Sequence, residues 1–131
     1  MPFSFEVSDV IPATPQQIYD AWLHGESHSE MTGGDADISP TVGAPFEAWD
    51  GYITGKNLEL VPGKKIVQSW RTTKFTAADP DSRITVTFKA EGPNTRIFLH
   101  HDNVPDGHTG YEDGGWQENY FDPMKRYFSA R

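Results

Sequence analysis

Apolar and polar residues alternate from the start of this chain. Phe3, Phe5 and Val7 are interleaved with Ser4, Glu6 and Ser8, the period-two pattern of a half-buried strand, which Pro12 then ends. Thr14-Pro15-Gln16-Gln17 reads as a helix start. Thr14 caps, Pro15 loses nothing at the first helical position, and Gln17 reaches back to complete a capping box. Ile18 and Trp22 lie one turn apart with Tyr19 and Leu23 beside them, so this short helix has one apolar face. Gly25 suits its stop. Ser27 with Glu30 predicts a second capping box and a second short helix, ending at Gly33-Gly34.

The middle of the chain reads as antiparallel strands. Asp35 to Ile38 and Phe46 to Trp49 are short candidates, and Tyr52 to Val61 is a longer one, broken near Gly55-Lys56-Asn57. Pro62-Gly63 fits positions i+1 and i+2 of a type II turn, because proline presets φ and glycine accepts φ > 0. Ile66 to Arg71 returns as the hairpin partner. Alternation is cleanest after the polar loop at Ala78 to Ser82: Ile84, Val86, Phe88 and Ala90 face one way, Arg83, Thr85, Thr87 and Lys89 the other. Gly92-Pro93-Asn94 turns the chain into Thr95 to Asp102, where Ile97, Leu99 and His101 share a face.

Near the C-terminus the period changes. Trp116, Tyr120 and Met124 recur every fourth residue and Tyr127 and Phe128 extend their face, predicting a helix from about Glu112 to Phe128. Pro123 removes a hydrogen bond from its interior, at a cost of ~3 kcal/mol in a regular helix, so a kink or local unwinding is expected there. Strand, two short helices, antiparallel meander and C-terminal helix add up to an α+β fold. A sheet with one apolar face needs a cover, and the aromatic terminal helix supplies it.

Composition narrows the function classes. The chain has 131 residues, enough for one core, and its 4 Trp, 5 Tyr and 8 Phe provide much of the apolar volume. Lys+Arg 11 against Asp+Glu 19 leaves a formal charge of -8, a field that repels phosphate backbones and anionic lipid. Nucleic acid and membrane are therefore not expected as partners. Cys 0 excludes disulfides, a thiol nucleophile and cysteine-ligated metal. No apolar run approaches the ~20 residues that span a bilayer, and the first residues lack the basic and apolar segments of a signal peptide. The expectation is a cytoplasmic protein.

Two spaced motifs point to a family. The first is Gly43-Ala44-Pro45-Phe46, Asp50-Gly51, Ile53-Thr54-Gly55, Leu60-Val61-Pro62-Gly63-Lys64-Lys65-Ile66-Val67 and Trp70-Arg71. The second is Gly115-Trp116-Gln117, Tyr120-Phe121, Lys125 and Phe128. In this order they resemble the C-terminal domain of the activator of heat shock protein 90 ATPase, within the START-like (SRPBCC) superfamily. The resemblance implies one domain over residues 1–131 with a helix-grip fold. In that fold a curved antiparallel sheet of about six or seven strands wraps on a long C-terminal helix, with two short helices after the first strand. The eukaryotic co-chaperone carries a separate N-terminal domain with its own chaperone-binding motif. Nothing in this sequence matches it, so a stand-alone domain of the bacterial kind is expected.

The superfamily uses the space between sheet and helix for apolar ligands. The resemblance makes Phe46, Trp70, Phe88, Leu99, His101, Trp116, Tyr120 and Met124 the candidate cavity residues. Ordinary core packing is the favoured reading for each of them taken singly, and His101 reads more readily as a satisfied core histidine than as a cavity residue. Other chemistry is weakly supported. His24 and His28 have zinc-like spacing, but Gly25 and the cap at Ser27 break their helix and no third ligand follows. His100 and His101, adjacent on a strand, point to opposite faces. Asp35 and Asp37 share a strand face and read as solvated, while Glu112 and Asp113 suit a helix N-terminus. No metal, cofactor or catalytic set is expected. The favoured function is a non-catalytic, co-chaperone-like binding module, with a heat shock protein 90 chaperone and an apolar small molecule as partners. The alternative is a small polyketide-cyclase-like enzyme using the same cavity.

Overall fold

The computed structural model describes residues 3–105 and 115–129. Six strands form one antiparallel sheet: β1 (Phe3–Ile11), β2 (Pro45–Ala48), β3 (Ile53–Val61), β4 (Lys65–Thr72), β5 (Ser82–Glu91) and β6 (Asn94–Val104). Their spatial order is β1-β6-β5-β4-β3-β2, so the first and last strands of the sequence are neighbours and β1 and β2 form the edges. Helices α1 (Pro15–Leu23) and α2 (Gly25–Thr32) carry the chain from one edge towards the other. After β6 comes a π-helical turn (Gln117–Phe121), continued by α3 (Asp122–Ser129). Among the described residues no helix is long and apolar enough to cross a membrane.

Local chemistry accounts for most boundaries. Thr14 Oγ1 accepts from the Gln17 N–H at 3.2 Å while Gln17 Oε1 accepts from the Thr14 N–H at 2.8 Å, completing the expected capping box. Ile18, Tyr19, Trp22 and Leu23 are all buried. The second capping box does not form. Gly25 opens α2 instead of stopping α1, and His24 occupies the cap position without a side-chain bond. A β-carbon on Gly25 would lie 2.8 Å from the Ala36 carbonyl oxygen. This glycine is needed for close approach, and it leaves Ser27 inside the helix. Gly33, with φ 91, ends α2 as the sequence predicts.

In the sheet, rows of buried side chains run across the strands: Gln68, Ile84 and His101 form one row, Ile66, Val86 and Leu99 the next. Residues 35–38 make only a single bridge, Asp37 to Glu47, beyond the short edge strand. The break foreseen at Gly55-Lys56-Asn57 is a register shift between Asn57 and Glu59, which leaves Leu58 47% exposed. Asn57 anchors the shift, its Nδ2 donating to the Ser39 and Thr41 carbonyls at 2.7 and 3.0 Å.

Lys64 N–H donates to Val61 O at 2.9 Å across Pro62-Gly63, and Gly63 has φ 70, as a type II turn requires. Gly63→Val is expected to cost on the order of 1–3 kcal/mol, read as a lower urea midpoint; an unchanged midpoint refutes the turn assignment.

The C-terminal helix unwinds where proline demands it. Asp122 N–H reaches back five residues to Gln117 O, one residue before Pro123. The wide turn absorbs the missing donor and still buries Trp116, Tyr120, Phe121 and Met124. The predicted start of this helix, at Glu112 and Asp113, lies outside the described residues. Gln117 Nε2 donates to Asp9 and Asp122 at 2.8 Å each, and Lys125 pairs with Asp9. These contacts tie the helical segment to the edge strand β1.

Candidate functional site

A cavity of about 360 Å³ lies between the β2–β3 end of the sheet and the C-terminal helical segment. Trp49, Tyr52 and Ile53 line it from the β2–β3 turn, Trp70 from β4, and Gly115, Trp116, Asn119 and Tyr120 from the helical side. Trp70, Trp116, Tyr120 and Ile53 are buried, Trp49, Tyr52 and Gly115 half-buried, and Asn119 exposed. The wall is thus apolar and aromatic, with an opening on one side.

Three of the eight residues anticipated from the sequence, Trp70, Trp116 and Tyr120, meet on this wall. Phe46, Leu99 and Met124 instead belong to the close-packed core, and Phe88 is half-buried against it. The physical reason is placement. The cavity sits under β3 and β4, whereas α1 packs against β5 and its fully buried Ile18, Trp22 and Leu23 occupy the middle of the core. His101 stands behind the wall, its ring centroid 4.7 Å from that of Trp70 and 5.7 Å from that of Trp116. Tyr120 faces the helices more than the strands, stacking on Trp22 with centroids 5.1 Å apart.

Trp49 comes to the wall by an unusual route. Phe46 and Ala48 point inward from β2, so simple alternation would turn the next side chain away. Trp49, Asp50 and Gly51 instead adopt φ 53, 59 and 87, three consecutive left-handed residues. Asp50 N–H donates to Asp35 O at 3.0 Å, and Asp50 Oδ1 accepts from Asp35 N–H at 3.1 Å. Gly34 packs directly on the indole, where a β-carbon would lie 2.6 Å from Trp49 Cε3. Its neighbours Tyr52 and Ile53 follow it to the cavity. In the sequence, the Gly33-Gly34 and Asp50-Gly51 pairs are the signal that marks this turn.

Behind the rings, buried polar groups form three hydrogen-bonded relays. In the first, the Tyr120 hydroxyl lies 3.2 Å from His28 Nε2. His28 Nδ1 is 2.9 Å from the Trp22 carbonyl. A carbonyl only accepts, so Nδ1 carries the proton and Nε2 accepts from Tyr120. In the second, Trp116 Nε1 donates to His101 Nδ1 at 3.3 Å, and His101 Nε2 is 2.9 Å from Ser82 Oγ, which donates to Trp70 O at 2.6 Å. The serine proton is committed to a carbonyl, so His101 is the donor to Ser82 and this pair does not activate a nucleophile. In the third, Trp22 Nε1 donates to Gln68 at 3.2 Å and Gln68 to Asn57 at 2.9 Å.

Burial sets the charge states. It lowers the His28 pKa to about 4, against a partial pull upward from the Trp22 carbonyl. Burial, then the neighbouring His100, lowers His101 to about 3. Tyr120 is pushed up by burial, with the nearby Trp49 indole opposing it. All three are neutral at pH 7. His24 is exposed while His28 is buried in the first relay, so the two do not act together.

A family model described as Activator of Hsp90 ATPase homolog 1-like protein matches residues 12–129. The chain belongs to this family. Among its relatives, the Activator of 90 kDa heat shock protein ATPase homolog of Dictyostelium discoideum is 28% identical over 127 residues, covering 96% of this chain and 33% of that protein. The human Activator of 90 kDa heat shock protein ATPase homolog 1 is 27% identical over 115 residues, covering 88% of this chain and 34% of that protein. The chain therefore spans about a third of the length of the curated relatives it matches. The crystal structure of an HSP90 activator from Plasmodium falciparum superposes with a TM-score of 0.86 at 24% identity, covering 97% of this chain and 96% of that one. The helix-grip architecture is that of the Hsp90-activator family, and both motifs lie inside the matched region. Within the first, Gly55 and the Pro62-Gly63 turn shape the sheet; Trp70 from the first and Gly115, Trp116 and Tyr120 from the second line the cavity.

Proposed function

We propose that this chain is a non-catalytic binding module of the Hsp90-activator kind, with the host's heat shock protein 90 as its protein partner and the aromatic cavity as a ligand pocket. The family match across residues 12–129 carries the first part. The partner is inferred from the relatives, whose names describe activators of that ATPase. The domain is read as a single START-like unit acting in the cytoplasm.

The cavity wall supports binding over the cyclase-like alternative. Turnover asks for an acid or base aimed at a reacting atom. Tyr120, the ionisable residue deepest in the wall, commits its proton to His28. His28 and His101 are neutral and engaged behind the rings. What remains is an apolar surface that holds a ring or alkyl group through burial, at ~25 cal/mol per Å² before the losses of association.

The test is ATP hydrolysis by the host's heat shock protein 90 with and without the purified chain. Stimulation that saturates with chain concentration is the expected result, and no change in rate across a stoichiometric excess overturns the partner assignment. For the cavity, Ile53→Phe adds volume at the wall without touching a relay. It is expected to weaken an apolar probe such as 3,3-dimethylbutan-1-ol roughly tenfold, followed by tryptophan fluorescence. Unchanged affinity in the folded variant places the probe elsewhere.

A further inference from the structure

We propose that the cavity is selective for a small organic cation, an alkylated ammonium, over a neutral molecule of the same shape. This rests on the cavity being a binding site, as argued above, and adds the charge of its ligand. Among the described residues, five of the eight that line it are aromatic, namely Trp49, Tyr52, Trp70, Trp116 and Tyr120, and none of the eight is charged. Aromatic faces present negative quadrupole potential, and an alkylated ammonium spreads its charge over methyl groups that shed water readily. Such a cation gains from ring faces what a neutral isostere does not.

A second feature lies beside the first. An adjoining hollow is lined by Asp35, Asp37, Glu47 and Asp50, together with Ala36 and Gly51. Asp50 follows Trp49 in the chain and is bonded to Asp35, and Glu47 on β2 bridges Asp37, so the carboxylates gather beside the turn that places Trp49. All four acidic residues are exposed. Among the described residues none of them is paired with a lysine or arginine. With a net charge of -8 over the chain, these carboxylates raise the concentration of cations near a cavity whose walls are rings.

Trp49 is the residue that joins the two features. A bulky side chain at φ 53 is held against its own backbone preference, which its surroundings must enforce. The close contact with Gly34 and the edge-on packing against the Tyr120 ring do so. The turn carries an indole of the aromatic chamber and a carboxylate of the acidic hollow on adjacent residues.

The experiment compares choline with its uncharged carbon isostere, 3,3-dimethylbutan-1-ol, by titration of the whole chain. Tryptophan fluorescence and the indole N–H resonances serve as readouts. Choline is expected to bind roughly tenfold tighter than the isostere, with an affinity that falls as salt is raised. Trp49→Leu is expected to lose that preference. Should that variant not fold, the surface double variant Asp37→Asn/Glu47→Gln serves; it is expected to weaken choline about threefold and leave the isostere unchanged. Equal affinity, or binding of the isostere alone, overturns the cation selectivity while leaving an apolar pocket in place. Binding of neither overturns both readings.

Discussion

Between pH 6.5 and about 3 the fold is expected to lose several kcal/mol of stability. His28 and His101 are fully buried and neutral, with pKa values of about 4 and about 3. In the unfolded chain both return to about 6.5. Below pH 6.5 the unfolded state therefore binds protons that the native state refuses, and stability falls with pH. The loss stops only when the folded histidines also protonate, near their own depressed values. Well above pH 6.5 neither state carries charge on these two rings, and their contribution no longer varies with pH. At ~1.4 kcal/mol per unit, His28 accounts for about 3 kcal/mol and His101 for about 5. That sum is comparable with the whole stability of a small domain, roughly 5–15 kcal/mol. Urea unfolding at pH 7 and pH 5 should differ by several kcal/mol. Imidazole resonances of the folded protein should show these two rings still neutral at pH 5. Equal stability at both pH values, or titration of both rings near 6.5 in the native state, would contradict the buried relays.

Gly55→Ala is expected to destabilise the sheet by about 3 kcal/mol or more. A β-carbon there would lie 1.9 Å from the Ser69 carbonyl oxygen and 2.7 Å from Phe46 Cε1. The first contact is with backbone, so relief requires β3 and β4 to move apart, and Ser69 cannot shift without moving Trp70 in the cavity wall. Gly43→Ala makes a sharp control. Gly43 has φ 86 but open space around it, so its substitution costs only the left-handed conformation, about 1–2 kcal/mol. Urea midpoints for the two variants separate steric from conformational cost. If they coincide, the close approach of β3 to β4 at Gly55 is not what the motif's glycine provides.

Much of this protein was legible from local pattern, because strands, caps and turns are decided within a few residues. The β1 and β5 alternation, the Thr14/Gln17 box, the Pro62-Gly63 turn and the unwinding ahead of Pro123 each follow from neighbours in sequence. The errors fall where a distant segment overrides local preference. Gly25 reads as a helix stop but serves as a gap for the backbone of residues 36–38. Ser27 then has no cap to make.

The candidate site divides in the same way. Trp70, Trp116 and Tyr120 were predictable as aromatic residues on inward faces, because periodicity specifies a face. It does not specify depth along the sheet. Leu99, Met124, Phe46 and His101 face the same interior and are consumed by packing or placed behind the wall, since α1 reaches β5 while the cavity lies under β3 and β4. Trp49 was invisible for the opposite reason: strand alternation turns it outward, and only the left-handed turn braced by Gly34 brings it back. The sequence by itself determined the fold, the family and the aromatic, acidic character of the chain, because these are sums over local choices. Where the cavity opens, and which rings line it, was decided by the tertiary structure, because an empty space is defined by the contacts that fail to fill it.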